Sequence, residues 1–306
     1  MKIVKPAEMT LLSCSISETD AVDGVTWSAS ATYSEGQKVR YNHVSYKSLE
    51  NNNTNHRPDL NWVGENAYWQ KLTATMPYRM LDDYQETQTV APVGQDLTFS
   101  VSFTLANSFA FMNIHGGSLE IEITDSETTL YSETVDLVDD ITSLSLWEYY
   151  FLPITTSITD PFVNTELPLC INATLNVTIH PAGSADQVAL GHVVVGRYQY
   201  VGETKYGADI GLIDYSRKDV DAFGYVNFVR RSYSKNASIN LFLTPILVNN
   251  VTKFLSEIRA TPVLFCCGNS DNGFEALSIY GWIENWRTVY AGPKENELTV
   301  EIQGLI

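Results

Sequence analysis

Basic residues are scarce in this 306-residue chain, where 19 Lys and Arg face 36 Asp and Glu for a formal net charge of -17. Phosphate recognition needs a basic surface, so nucleic acid is excluded as a partner. An anionic membrane or a strongly acidic polysaccharide is repelled at long range, and any glycan ligand is therefore expected to be neutral or zwitterionic. No apolar run reaches the length that spans a bilayer, so membrane insertion is not expected. The opening Met1-Lys2-Ile3-Val4-Lys5-Pro6 is followed by no uninterrupted apolar stretch, and a Sec signal is not expected either. The four cysteines, Cys14, Cys170, Cys266 and Cys267, show no Cys-x-x-Cys spacing and no metal-site pattern with the five histidines. Cys266 and Cys267 follow Val263-Leu264-Phe265 and read as buried thiols of a chain that folds in a reducing cytoplasm.

Catalytic signatures are missing as well. There is no Gly-x-Ser-x-Gly elbow, no His-Glu-x-x-His helix and no phosphate-cradling glycine loop. Glu120 and Glu122 lie two apart on a predicted strand and share a face, a geometry that some glycosidases use. The charged outer face of a sandwich has the same spacing and is the preferred reading. Asp214, Asp219 and Asp221 could form an oxygen-rich cation loop, but the order of an EF-hand is absent. The expectation is a protein that is not an enzyme and needs no cofactor and no metal.

What the chain does have is aromatics, concentrated between Trp27 and Trp69. Trp27, Tyr33, Gly36, Val39, Tyr41 and Tyr46 precede a polar loop, Glu50 to Arg57, and Pro58, Trp62 and Trp69 follow it. The segment is too polar to bury every ring, and exposed rings beside hydrogen-bonding side chains suit the faces of sugars. This ordered set resembles the small chitin- and cellulose-type carbohydrate-binding modules over about fifty residues. Trp27, Tyr33, Val39 and Trp69 are expected in the core of a miniature sheet. Tyr41, Tyr46 and Trp62, with His43 and His56 beside them, are the candidate carbohydrate-binding residues. The competing reading is a scaffold whose large side chains merely form its own core, as a module this small requires.

Four regions are expected: an N-terminal arm over 1–25, the carbohydrate-binding-like module over 26–76, a β-sandwich over 77–200 and a C-terminal α+β domain over 201–306. Within the arm, the apolar stretch Met9 to Leu12 could add a strand. Period-two alternation in Leu97–Phe103, Leu119–Ile123 and Leu175–Ile179 points to antiparallel strands, and His192–Gly196 supplies another. Pro153, Pro168 and Pro181-Ala182-Gly183 punctuate them. A jelly roll of the galactose-binding-like kind fits this rhythm, so the chain is expected to be mainly β. Further on, Phe223–Arg231 and Ala237–Leu243 read as a strand pair. Thr244 and Pro245 then open a helix whose stripe is Leu247, Val251, Phe254, Leu255 and Ile258, ended by Thr261-Pro262. Strands are expected from Val263, over Glu275–Val289 and over Leu298–Ile302, with a turn at 268–273.

The arrangement as a whole resembles a group of tailed-bacteriophage distal tail and baseplate structural proteins. The resemblance rests on Met1–Pro6, the aromatic module, Arg79-Met80-Leu81-Asp82, Ile213–Lys218, Phe228–Arg231, Arg259–Pro262 and Glu301–Leu305. Tyr78 and Leu81 depart from its pattern. It implies a virion component of the distal tail, assembled in the host cytoplasm, present in multiple copies in a symmetric assembly and contacting other phage tail proteins. Its module would grip host cell-surface polysaccharide. The implied alternatives are a purely structural tail protein and a polysaccharide-degrading enzyme that carries the module as an accessory.

Overall fold

Alternating apolar and polar residues dominate this chain, and alternation folds it into antiparallel sheets. The computed structural model describes every residue except 65, 127, 139–146, 148, 149, 151–159, 221, 222, 268–276, 291, 293–295 and 306. The fold is mainly β, with a small aromatic-rich β module, an antiparallel sandwich and a C-terminal α+β unit carrying one main helix. Pro153, Asp221, Glu275 and the turn at 268–273 lie outside the described residues.

In the sandwich, Leu97–Ala106, Ser118–Asp125, Thr128–Asp136 and Cys170–His180 form a sheet with Met9–Cys14 at one edge. Phe99, Val101, Leu119, Ile121, Leu175 and Val177 point inward from it. They meet Phe109, Phe111, Val193 and Val195 from the facing strands Ser108–His115 and Ala189–Tyr200. The intervening residues face solvent as Ser, Thr, Asn and Glu, which is the alternation read along the sequence. In the C-terminal unit, a helix over Pro245–Glu257 follows Thr244 at the N-cap position, whose side chain makes no capping hydrogen bond, with Pro245 at its first position. Val251, Phe254, Leu255 and Ile258 bury into the same core as Ile239, Leu241, Phe265 and Val300.

The N-terminus forms two strands: Met9–Cys14 takes up the apolar stretch expected to add one, while Lys2–Pro6, read as part of an arm, is a strand as well. Lys2–Pro6 pairs on one side with Ala189–Tyr200 of the sandwich and on the other with Val263–Cys266 of the C-terminal unit. It joins the two regions into one sheet of eleven described strands. Ile3 and Val4 are fully buried, and Ile3 packs in the C-terminal core. Met9–Cys14 then adds to Leu97–Ala106 with a register shift at Ser100/Val101. Both strands precede the aromatic module, so the module is an insertion into a body whose sheets the chain has already entered.

The strand pair read over 223–243 is also corrected. Val226–Val229 pairs with Arg217–Val220, and Tyr233–Leu243 pairs with Asn296–Gly304 and Asp209–Asp214. The alternation was legible, but nothing local identified the partners.

A buried polar contact stands behind the central sheet. His192 lies against Tyr280 with ring centroids 4.3 Å apart and planes tilted by 39°, and its Nδ1 is buried with no hydrogen-bond partner among the described residues. Burial lowers the His192 imidazole to about 4 and raises the Asp82 carboxyl to about 6. A histidine held below its unfolded value contributes stability above about pH 6.5 that is lost as pH falls toward 4. A carboxyl held above its unfolded value contributes stability below about pH 3.8 that is lost as pH rises toward 6. The two oppose each other across the same window, the buried His192 by about 3 kcal/mol from the size of its shift and the part-exposed Asp82 by less, because solvent screens it. Asp82→Asn is therefore expected to lose stability steeply from pH 6.5 to 4, while His192→Gln gains it. Urea unfolding at several pH values checks both, and parallel pH profiles in the two variants would contradict the assignment.

Candidate carbohydrate-binding face

The module builds from a four-stranded sheet ordered Val25–Thr26, Lys38–Tyr41, Val44–Ser48, Trp69–Ala74, with a small ladder of Thr32–Tyr33 and Asn53–Thr54 beside it. Its core is Tyr33, Val39, Tyr46 and Trp69. Tyr33 and Trp69 meet edge to face at 5.4 Å, and the Trp69 indole N–H donates to the His56 carbonyl at 2.8 Å. Gly24 opens the first strand at φ +88°, where a Cβ would stand 2.5 Å from the Lys38 carbonyl carbon. Asp23 is wholly buried and accepts from the Met76 and Thr19 backbone N–H groups at 2.8 and 3.0 Å. This carboxylate ties the module's beginning to its end.

The five sequence-derived binding residues fall in three places. Tyr46 is buried at 4% exposure and is a core ring, so it cannot offer a face to a sugar. Burial, with Asp59 and Tyr41 nearby, raises its phenol above the usual range. His43 lies in the seam with the body. It sits at φ +60°, stacks on Tyr78 at 3.8 Å and contacts Glu18 at 2.9 Å. Glu18 also accepts from the Thr75 hydroxyl at 2.7 Å and pairs with Arg40 at 3.4 Å, so this cluster is a joint between the two units. His56 is part of the scaffold: it stacks on Tyr68 at 3.5 Å, and its Nδ1 is 2.9 Å from Asn53 Oδ1.

Tyr41 and Trp62 remain accessible. Trp62 is 40% exposed, with the Lys71 ammonium 5.2 Å from its ring, and Leu60 and Val63 beside it in sequence are more exposed still. Tyr41 is half-buried and has the Arg57 guanidinium 5.8 Å from its ring. Arg57 forms a two-pronged contact with Asp59 at 2.7 and 2.9 Å. Trp27, expected in the core, is only half-buried, and its ring meets Tyr41 edge to face at 5.4 Å. The ring packs against the module core, and its indole N–H is buried with no hydrogen-bond partner among the described residues. The exposed ring is thus Trp62, with Tyr41 and Trp27 part-exposed at the edge of the core and Arg57, Asp59 and Lys71 as polar neighbours. The sequence reading missed those three, although Arg57-Pro58-Asp59 closes the loop it singled out.

Chemically, this is a set of rings and hydrogen-bonding groups, and among the described residues no paired carboxylates converge on it. Glu120 and Glu122 lie on the solvent face of the sandwich, where Glu120 is 3.6 Å from His180 and Glu122 accepts from Thr129 at 2.8 Å. Asp214 accepts from the Ser216 N–H at 2.8 Å and Asp219 pairs with Arg217 at 2.5 Å. Among the described residues, no cluster of His, Cys, Asp and Glu could hold a metal ion. Among the described residues, cavities elsewhere include two larger ones. One of about 650 Å³ at an end of the sandwich is lined by Gln88, Asn113, His115, Asp160 and Gln187. Its amides already serve the fold: Gln88 Nε2 donates to the Asn113 carbonyl and Gln187 Nε2 to the Ala91 carbonyl. The other, about 900 Å³, lies between the sandwich and the C-terminal sheet beside Arg230, Arg231 and Lys235. All four cysteines are free, and burial raises Cys266 and Cys267 to about 12, as expected of inert thiols. No described helix is long and apolar enough to cross a membrane. No protein-family model matches the chain, and no curated protein matches it.

Proposed function

We propose that this chain is a non-enzymatic structural protein of the distal tail of a tailed bacteriophage, assembled in the host cytoplasm, whose inserted module holds neutral host-surface polysaccharide. The observation that carries the sugar-binding half is the exposed Trp62, which the module's core does without, together with the part-exposed rings of Tyr41 and Trp27 at the core's edge. The tail half rests on the resemblance of the short motifs and on the acidic charge, which suits a protein-facing role better than contact with DNA. Insertion of the module between two parts of one body supports projection from a particle, because the body's strands Lys2–Pro6 and Met9–Cys14 need nothing from it.

Ring stacking on one sugar is worth about 1–2 kcal/mol. A single site is weak, and copies around a symmetric tail multiply it. Trp62→Ala and Tyr41→Ala are each expected to lower glycan affinity about tenfold, Trp62→Ala with thermal unfolding unchanged and Tyr41→Ala with a small loss of stability. Binding of the whole chain to immobilised bacterial surface polysaccharides checks this. Unchanged binding in both variants would favour the purely structural reading, to which the burial of Tyr46 and the scaffold role of His56 already lend weight. Gold-labelled antibody against residues 26–76 is expected at the distal tail of particles that contain the chain. Particles shown by mass spectrometry to lack it would overturn the tail assignment.

A further inference from the structure

The cavity between the sandwich and the C-terminal sheet separates charge by element. Its three cations, Arg230, Arg231 and Lys235, all come from the chain that enters and begins the strand Tyr233–Leu243. Its two acids come from the sandwich region, Glu86 from the segment before Thr89–Val90 and Asp160 from the segment before Phe162–Asn164. Met112, Ile279 and Tyr280 add apolar surface to the same lining. At about 900 Å³ the space is of the size that holds a small molecule, for which about 300–1,000 Å³ is usual.

These opposite charges do not close on each other. Among the described residues, none of the three cations forms an ion pair with a carboxylate. Arg230 lies near Asp214, whose carboxyl is held below the usual range chiefly by hydrogen bonds from Ser216 and less by Arg230. Arg231 and Lys235 therefore carry the positive side. Opposite them, Glu86 accepts from the Ser232 hydroxyl and Asp160 from the Ile114 N–H at 3.4 Å. An ionised carboxylate has about four acceptor positions, so both keep capacity toward the cavity.

Matching charge defines the ligand. An anion drawn to Arg231 and Lys235 meets Glu86 and Asp160 in the same cavity, on a chain of net charge -17. A cation drawn to the acids meets the three basic side chains. A molecule with both charges set apart on an apolar frame meets each with its opposite and lays the frame on Met112 and Tyr280. We infer that this cavity binds a small zwitterion with a carboxylate and an ammonium at opposite ends of an apolar frame, the carboxylate toward Arg231 and Lys235 and the ammonium toward Glu86 and Asp160. The cavity shares no residue with the aromatic module, so this binding stands or falls separately from glycan binding.

The test is a titration of the ¹⁵N-labelled full chain with ω-amino acids of increasing length, from glycine through 4-aminobutyrate and 6-aminohexanoate to 8-aminooctanoate. Hexylamine and hexanoate serve as single-charge controls. One or more of the longer amino acids should bind at millimolar concentration and shift the amides of Ser232, Ser278–Tyr280 and Gly304. Both controls should bind about tenfold more weakly, since each loses one charged contact. Arg231→Gln with Lys235→Gln should weaken the amino acid about tenfold and leave hexylamine no weaker. Glu86→Gln with Asp160→Asn keeps an acceptor for Ser232 and Ile114, and should weaken the amino acid by a similar factor while hexanoate binds no more weakly. Absence of binding by every member of the series would overturn the inference. So would controls that bind as tightly as the amino acids, variants that leave binding unchanged, or shifts that fall outside the cavity.

Discussion

Ile3→Asp should abolish cooperative folding of both the sandwich and the C-terminal unit. Ile3 has no exposed surface and packs among Ile239, Phe265 and Val300, on the strand that hydrogen-bonds to Ala189–Tyr200 and Val263–Cys266 at once. Removing the apolar side chain costs about 3 kcal/mol or more, and an unpaired carboxylate in its place adds several more. The sum is comparable to the whole stability of an ordinary domain. Ile3→Val, which removes one methylene, should cost only about 1 kcal/mol. Urea unfolding followed by tryptophan fluorescence separates them: a normal transition for Ile3→Val and no folded baseline for Ile3→Asp. A cooperative transition in Ile3→Asp would mean that the N-terminal strand does not hold the two regions together.

Trp69→Ala should unfold the module and spare the body. Trp69 is fully buried, stacks edge to face on Tyr33 and donates to His56. Its truncation costs about 3–5 kcal/mol. A core of four buried residues has little else with which to offset that loss. The body does not share this core, since the strands on either side of the insertion pair with one another's neighbours and not with the module. Limited proteolysis should therefore cut Trp69→Ala between residues 26 and 76. The N-terminal fragment should stay attached through Lys2–Pro6 and Met9–Cys14, and the body's thermal transition should be kept. Cuts distributed through 97–200 would show that module and sandwich fold as one unit.

These two results bear on what the sequence could reveal. The sandwich strands were legible because each is amphipathic with period two and buries one face, as in Leu119, Ile121 and Ile123 against Glu120 and Glu122. The helix was legible because Thr244-Pro245 starts it and the stripe through Val251 and Leu255 sustains it. Pairing was not legible. Lys2–Pro6 meets partners about 190 and 260 positions away, and no local pattern encodes such register.

In the module, the error over Tyr46 was avoidable. Asn42 and His43 both have positive φ and form a two-residue turn, so Tyr41 faces Val44 and Val39 faces Tyr46. That register puts Tyr46 opposite a core valine, and Asn42-His43 between aromatic strands was its signal. His43 follows from the same turn, which aims its ring at the seam with Tyr78 and Glu18. Trp62 stays exposed because its loop is polar and lies outside the strand pattern. Arg57 and Asp59 were missed because a charged pair two residues apart in a loop has no periodicity to mark it.

The most direct test of the central claim is an NMR titration of the ¹⁵N-labelled chain with neutral bacterial surface oligosaccharides, followed through the indole and backbone N–H signals. The account predicts shifts at the Trp62 and Trp27 indoles and at the amides of Tyr41 and 57–62, with Tyr46 and the sandwich cavity at Gln88 and Asn113 unmoved. Shifts confined to that cavity, or none from any neutral sugar, would contradict it.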